Sequence, residues 1–221
     1  MPVSPSRYVP EVDPPGQDPA LDRVLADVRA CRICEAHLPL GPRPVVRMAV
    51  LAPVLVIGQA PGTKVHQTGL PWNDASGDRL RDWLQMSHQE FYDPAKLAIM
   101  PMGFCYPGRF ARGGDLPPRP ECAPTWHDVL LRHLPHVRLT LLIGQYAQAH
   151  YLGVRRAKTM TETVRRFEQF LPDGLLPMPH PSWRNTAWIR KNPWFESALL
   201  PVLRERVRHV LDGQNTRLSN S

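Results

Sequence analysis

Residues 54–84 read VLVIGQAPGTKVHQTGLPWNDASGDRLRDWL and combine the signals of a strand, a tight turn and a helix. Val54–Ile57 is apolar throughout, which is typical of a strand buried on both faces. Residues 58–62 (GQAPG) follow, and their two glycines and one proline favour a turn in which backbone approaches a ligand. After a polar loop, Ser76 opens a segment with apolar residues at helical spacing, which predicts a capped amphipathic helix. Sites in open α/β sheets lie at the carboxyl ends of strands, so we expect the functional site here.

Strand and helix signals alternate along the rest of the sequence. Further strands are predicted at residues 97–102, 139–143 and 175–178, and further helices at residues 18–31, 124–134, 145–152 and 193–211. Pro101 indicates that the second strand ends there or lies at an edge. The alternation predicts an α/β fold, a three-layer α/β/α arrangement around a mostly parallel four-stranded sheet.

The chain divides into three parts by composition. Proline is frequent, with 26 among 221 residues, so much of the chain is expected to be rigid loop. Residues 1–17 are rich in proline and poor in apolar side chains, which predicts a mobile arm. Residues 18–212 form one predicted domain, large enough to bury a core, and residues 213–221 are a predicted polar tail.

The net charge and the absence of long apolar runs limit the class of partner. A net charge of +7 at pH 7 is compatible with a polyanionic partner and also with simple solubility. The sequence has no signal-peptide pattern and no apolar run long enough to cross a bilayer. It therefore predicts a cytoplasmic protein with no membrane partner, and we expect a monomer.

Four cysteines form a pattern with several interpretations. Cys31 and Cys34 are a C-x2-C pair, while Cys105 and Cys122 are separated by sixteen residues. Structural disulfides are not expected in a cytoplasmic protein, whereas four thiolates suit zinc or an iron-sulfur cluster. Zinc usually takes two C-x2-C pairs, so the wide second spacing favours the cluster. Four unrelated buried thiols remain an alternative, because free cysteine is commonly buried.

Taken in order, these motifs resemble those of the uracil-DNA glycosylase superfamily, nearest its iron-sulfur families four and five. Those families carry an early C-x-x-C, followed by G-E-A-P-G, by G-x-P-F or F-T-G-D-x-S-G, by C-x-P-P-G, and by a late H-P-[SA] motif. The corresponding segments here are Cys31 and Cys34, GQAPG at 58–62, GLPW at 69–72, DASG at 74–77, CYPG at 105–108, Cys122, and HPS at 180–182. The resemblance covers about residues 31–201. It implies the same three-layer fold and a four-iron four-sulfur cluster on the four cysteines, with zinc as the lesser alternative.

The resemblance also assigns three catalytic candidates. Asp74 stands at the position of the catalytic aspartate of family five, although an acidic residue also suits a helix N-terminus, here ahead of Ser76. His180 matches the histidine that similar enzymes direct at the O2 carbonyl of the leaving base. A lone histidine is more often structural, but His180 lies between prolines at a strand end. Gln59 stands where family four has glutamate.

Three further residues are predicted to bind the base. Ala60 and Gly62 belong to the turn after the first strand, and position 60 is aspartate or asparagine in other branches. Trp72 stands where the family stacks a phenylalanine on the base; the alternative is a half-buried core tryptophan. Pro101 aligns with the asparagine that reads uracil in family four. Proline cannot make that contact, so a broader range of deaminated bases stays open.

Basic residues interleaved with aromatic ones follow His180. Such a segment suits a surface that holds phosphates and wedges into a duplex, and the alternative is a solvated basic face. The DNA-binding candidates in it are Ser182, Arg184, Asn185, Arg190 and Lys191, with Trp188 and Trp194 between them. Arg109 and Arg112, in the loop between the last two cysteines, are a predicted second clamp.

These residues suit base excision. Breaking the bond between a base and deoxyribose creates a cation-like sugar and a base anion, so a carboxylate near the sugar and a donor near the base carbonyl are needed. With no lysine predicted at the site, we expect a monofunctional uracil-DNA glycosylase that leaves an abasic site. Its partner would be DNA that contains uracil or an abasic site. The alternative is a non-catalytic protein of the same fold that binds DNA lesions or abasic sites, as alanine at position 60 would allow.

Overall fold

A sheet of four parallel strands lies at the centre of the computed structural model, which describes residues 18–218 and their side chains up to residue 213. The strands are β1 (Val54–Ile57), β2 (Leu97–Ile99), β3 (Leu139–Ile143) and β4 (Leu175–Met178). Their order is β2-β1-β3-β4, and each neighbouring pair is parallel. The predicted α/β fold with a parallel four-stranded sheet is confirmed. The predicted arm, residues 1–17, lies outside the described residues.

Helices precede, follow and connect the strands. In sequence order they are α1 (Pro19–Ala30), α2 (Thr63–Thr68), α3 (Ala75–Leu84), α4 (His88–Phe91), α5 (Cys122–Leu131), α6 (Gln145–Leu152), α7 (Met160–Arg165), α8 (Thr186–Lys191) and α9 (Leu200–Leu218). Short 3-10 segments lie at Glu35–His37, Gly153–Arg155, Phe167–Asp173 and Trp183–Asn185, and one π-helical turn at Phe195–Leu199 leads into α9.

The sequence of β1 explains why helices cover both faces of the sheet. Val54 and Val56 pack in one core cluster with α3 and α9, whereas Leu55 and Ile57 pack in a second cluster with α1, α5 and α6. All four side chains are fully buried. Burial of such a side chain stabilises the fold by about 1.5–3 kcal/mol, so a continuous apolar strand requires a helical layer on each side.

Helix α1 follows the signals that predicted it. The Asp18 side chain caps the helix by accepting a hydrogen bond from the Ala20 N–H at 2.9 Å. Leu21, Leu25 and Val28 then bury one face against the second core cluster. The helix ends directly before Cys31, so it fixes where the first cysteine pair begins.

Strand β2 is shorter than predicted because of Pro101. It ends at Ile99 instead of residue 102. Met100 and Met102 still donate backbone hydrogen bonds to the carbonyls of Val56 and Gly58, but Pro101 between them has no N–H to donate. The prediction that this strand lies at an edge is confirmed by its position in the sheet.

Helices α2, α5 and α9 also differ from the prediction. The polar loop expected after residue 62 contains α2, which buries only Val65. Helix α5 begins at Cys122, two residues early, and ends at Leu131. Helix α9 begins later than residue 193 and continues to Leu218, so most of the predicted tail is helical. None of the helices in the described part of the chain is long and apolar enough to pass through a membrane.

Candidate active site

A pocket of about 140 Å³ opens where β1 and β4 end. Parallel strands direct their carboxyl ends to the same rim, so loops far apart in sequence meet there. The lining includes every predicted catalytic and base-binding residue and one predicted DNA contact: Gln59, Ala60, Gly62, Trp72, Asp74, His180 and Ser182. The structure therefore brings these seven residues together.

Trp72 forms one wall of the pocket in a strained conformation. Its φ is 56°, a left-handed backbone that a bulky residue rarely adopts and that costs on the order of 1–3 kcal/mol. Two glycines make room for it. A Cβ at Gly77 would lie 1.7 Å from the Trp72 carbonyl oxygen, and a Cβ at Gly58 would lie 2.8 Å from the indole ring. The indole lines the pocket and, in line with the alternative given from sequence, also packs partly buried against the core.

Asp74 is a helix cap, and its position also suits the catalytic role proposed for it from sequence. Its Oδ1 accepts a hydrogen bond from the Gly77 N–H at 2.9 Å, so the residue is the N-cap of α3. The residue is only half-buried and also lines the pocket. A carboxylate has two oxygens with several lone pairs, so capping leaves acceptor capacity for a ligand.

His180 is held as a neutral imidazole whose free nitrogen is a donor. Its Nδ1 accepts a hydrogen bond from the Ser182 N–H at 3.2 Å, which places the ring proton on Nε2. Burial lowers the pKa of His180 to about 4, and the Asp74 carboxylate acts in the opposite direction. At neutral pH the ring therefore offers one uncharged N–H donor, and Asp74 lies within electrostatic reach of it.

The His180 ring is fixed by its neighbours. It lies against Trp72 with ring centroids 5.4 Å apart. The Asn185 side chain donates to the His180 carbonyl at 2.7 Å, and Arg79 of α3 donates to the Ser182 carbonyl at 3.2 Å. Asn185 was predicted to bind DNA, but its amide N–H group is engaged in holding the loop after β4.

The pocket floor beneath β2 offers little to hydrogen-bond. Pro101 lacks an N–H, and its carbonyl lies 3.1 Å from Nε2 of the buried His127. The other ring nitrogen of His127 lies 2.6 Å from the Tyr151 hydroxyl. Burial lowers the pKa of His127 to about 4, so this histidine is neutral and its Nε2–H donates to the Pro101 carbonyl.

Asp115 is a pocket residue that the sequence analysis missed. It comes from the loop between Cys105 and Cys122, lines the pocket beside Gly62, and pairs with Arg109 at 3.6 Å. Asp115 belongs to no recognised motif, and it reaches the pocket only because the loop folds over it. Arg109 thus lies beside a carboxylate of the pocket lining, while Arg112 is exposed.

Two loops meet beside the pocket. A Cβ at Gly114 would lie 2.7 Å from Nη1 of Arg184, so the loop before α5 approaches the loop after β4 closely here, and the φ of 96° at this position favours glycine. Trp183 is 72% exposed next to Arg184, and Phe110 is 53% exposed between Arg109 and Arg112. We call Phe110, Trp183 and Arg184 the mouth surface.

The aromatic residues singled out from the sequence lie elsewhere. Trp188 donates through Nε1 to the Thr161 hydroxyl at 2.8 Å, and Trp194 donates to the Asn192 side chain at 3.1 Å. Both pack partly buried against the core, which leaves less of each indole to contact a duplex, and their wedging role stays a prediction. Arg190 and Lys191 are exposed in the last turn of α8, as a DNA contact requires.

All four cysteines line a second cavity, apart from the pocket. Burial raises the pKa of the Cys105 thiol to about 11 and that of Cys122 to about 12, and the neighbouring cysteines add to both shifts. In the described part of the chain no three metal-binding side chains are close enough to form a ready site for one ion. The ligand therefore stays a prediction.

Two features of this cavity suit a sulfur-rich metal centre: one hydrogen bond to a cysteine sulfur and one buried donor without a partner in the described part of the chain. The Phe104 N–H donates to the Cys122 sulfur at 3.3 Å, the kind of bond that tunes thiolate ligands. Trp126 lines the same cavity, and its indole Nε1 is buried with no hydrogen-bond partner among the described residues. An unpaired buried donor costs about 1–3 kcal/mol, so an acceptor bound in this cavity would remove that cost.

The fold and the pocket define a class of protein, an α/β protein with a pocket at the carboxyl rim of a parallel sheet. The sequence model of the uracil DNA glycosylase superfamily matches residues 48–204, which is more than half of the chain. The chain belongs to this superfamily. Membership supports a DNA glycosylase, a hydrolase of DNA repair, with DNA as the substrate.

Proposed function

We propose that the protein is a monofunctional uracil-DNA glycosylase that hydrolyses the N-glycosidic bond and leaves an abasic site. The observation that carries the proposal is the presence of a neutral His180 donor and the Asp74 carboxylate in one pocket that Trp72 also lines. Engineered cavities of roughly 150 Å³ accept benzene. The pocket, at about 140 Å³, is thus of the right size for one six-membered ring.

The residues divide the reaction between base and sugar. As the C1′–N1 bond breaks, its electron pair moves to the base, and His180 Nε2–H donates to the oxygen on which the charge collects. Asp74 stabilises the positive sugar and orients a water molecule, whose oxygen bonds to C1′ and whose proton passes to solvent. No lysine is among the described residues that line the pocket, which favours hydrolysis over an amine-linked intermediate.

A non-catalytic lesion-binding protein is the second candidate. The N-cap role of Asp74 favours it, because this aspartate has a structural reason to be present without chemistry. Ala60 supplies no carboxylate, and the second carboxylate in the pocket lining, Asp115, lies 3.6 Å from Arg109. In that case the pocket would hold a flipped base or an abasic sugar without cleavage.

An oligonucleotide assay separates the two candidates. The purified protein, incubated with a strand containing one uracil, should give strand breaks only after hot alkali, and the same strand containing cytosine should stay intact. Breaks without alkali would contradict the monofunctional mechanism. Tight binding with no breaks after alkali would support the lesion-binding protein.

We propose that the mouth surface holds the DNA strand on either side of the flipped nucleotide. Arg184 lies 5.6 Å from the Trp183 ring, so a phosphate contact and a stacking face are adjacent. Phe110 supplies a second aromatic face next to two arginines. The predicted contacts Arg109, Arg112, Arg190 and Lys191 would add charge around this surface.

Replacing Trp183 with alanine should weaken DNA binding. Stacking on one base contributes about 1–3 kcal/mol, so we expect a loss of roughly tenfold to a hundredfold in affinity for an abasic-site oligonucleotide. Phe110→Ala should have a similar effect, measured by fluorescence anisotropy. Val154→Ala is the control, since Val154 is fully exposed outside the pocket lining. Equal affinity of all three variants and the wild type would contradict the role of the mouth surface.

We also propose that Cys31, Cys34, Cys105 and Cys122 hold a four-iron four-sulfur cluster. The shared cavity, the bonded sulfur of Cys122 and the unpaired N–H of Trp126 support a bound sulfur-rich acceptor. When bound, the cluster would tie the segment after α1 to the loop that carries Phe110 and Asp115, a structural role.

A further inference from the structure

The side chains around the pocket differ in what they offer to the polar edge of a base. Asp74 and Asp115 supply carboxylates, and His180 supplies a donor. Val45, Ile99 and Pro101 supply no side-chain hydrogen bonds. Hydroxyl groups rotate, so Ser76 and Ser182 accept or donate as needed. Among the side chains of the described residues that line the pocket, only that of Gln59 has a carbonyl acceptor next to an amide donor.

A free glutamine does not distinguish uracil from cytosine. Uracil presents an N3–H donor beside an O4 acceptor, whereas cytosine presents an N3 acceptor beside an amino donor. An amide that rotates by 180° exchanges its Oε1 and Nε2 and fits either edge. Discrimination therefore requires something that fixes the amide orientation.

The Leu116 carbonyl supplies that restraint. Gln59 Nε2 donates to this carbonyl at 3.4 Å, a long but allowed hydrogen bond. The reversed amide would place Oε1 against the carbonyl oxygen, two acceptors without a proton between them. One N–H of Nε2 is thereby used, and the second N–H and Oε1 remain for a ligand.

We infer that Gln59, oriented by the Leu116 carbonyl, is the residue that selects uracil over cytosine, an inference that rests on the proposed glycosylase function. In this orientation Oε1 accepts N3–H and Nε2–H donates to O4. With cytosine, the N3 acceptor would face the Oε1 acceptor, and the amino donor would face the Nε2–H donor. Gln59 thus takes the place of the asparagine that Pro101 replaces, and it acts as a specificity residue.

Leu116 lies in the loop between Cys105 and Cys122, so the cysteine loop takes part in base selection. The Leu116 N–H donates to the Gly108 carbonyl at 2.9 Å, which anchors the residue whose own carbonyl accepts from Gln59. An ordered cysteine loop is therefore needed for the amide to keep its orientation.

Binding of non-cleavable strands tests the inference without the chemical step. Single-stranded oligonucleotides carrying 2′-fluoro-deoxyuridine or 2′-fluoro-deoxycytidine at one position avoid differences in base pairing. For the wild type we expect the uracil strand to bind at least tenfold tighter. In Gln59→Ala and in the length-matched Gln59→Met, we expect this ratio to fall to about one to threefold, because both lack the amide.

Gln145→Ala is the matched control. Gln145 follows β3 in the similar sequence IGQ, but it is exposed and lies outside the pocket lining, so the wild-type ratio should be kept. An unchanged ratio in both Gln59 variants would overturn the inference. If the wild type binds the uracil strand more tightly but does not cleave uracil DNA, the glycosylase proposal is overturned. The ratio of the two affinities in the Gln59 variants would still test the role of Gln59.

Discussion

Asp74→Asn and His180→Ala should each lower the rate of uracil excision by roughly a hundredfold or more, measured in single-turnover experiments. Loss of an electrostatic or acid-base group commonly has an effect of this size. Asparagine is a good N-cap, so Asp74→Asn removes the charge and keeps the bond to the Gly77 N–H. His180→Ala removes the Nε2–H donor and should keep binding to abasic DNA.

Stability measurements separate catalysis from helix capping. Asp74→Asn should unfold at nearly the wild-type denaturant concentration, whereas Asp74→Ala should lose about 1 kcal/mol because the cap is gone. Near-wild-type excision by Asp74→Asn would leave only the cap role. Loss of DNA binding in both the Asp74→Asn and His180→Ala variants would mark the two residues as structural.

The buried strands were the most predictable part of the fold. The sequences of β1, β3 and β4 are almost entirely apolar and end at glycine or proline, so their limits were predicted to the residue. Helix α2 was missed because its sequence, TKVHQT, buries only Val65 and so has no apolar period. The predicted end of α9 is too early because Gly213 and the polar residues after it resemble a helix end.

Motif order was enough to predict which side chains share the pocket, since each follows a strand of a parallel sheet. The sequence could not supply their states. The tautomer of His180 depends on the Ser182 N–H, and the strained backbone of Trp72 depends on the glycines at positions 58 and 77. Some of these contacts join segments that are distant in sequence, and others depend on the geometry of a turn. A local sequence pattern therefore does not predict them.

Exposure of the aromatic residues was the least predictable feature. Trp183, Trp188 and Trp194 all lie in one basic segment, yet only Trp183 faces solvent. Which of the three is exposed depends on where α8 begins and on how the π-helical turn sets its packing against the core. Phe110 and Asp115 were missed for a similar reason, because the path of the cysteine loop is not a repeating pattern.

Removing one cysteine should have the largest effect on stability. Cys122→Ala would leave three of the four proposed ligands, and structural zinc sites bind with about 10–16 kcal/mol. Domains are stable by only about 5–15 kcal/mol, so a variant without its metal centre should be largely unfolded or lose the order of the cysteine loop. We expect brown anaerobic wild-type protein with about four irons per molecule, and a colourless variant with much lower thermal stability.

Trp126→Phe is the matched control for packing in the cysteine cavity. It keeps an aromatic ring and all four thiols, and it removes the buried N–H together with part of the indole ring. The variant should therefore retain iron, whereas Cys122→Ala should not. One zinc per molecule would keep the metal centre but replace the cluster. The proposal would be contradicted if the wild type held neither metal and Cys122→Ala unfolded at the same temperature as the wild type. The four cysteines would then be buried thiols. The order of the loop that carries Leu116 and Asp115 would depend on protein contacts alone.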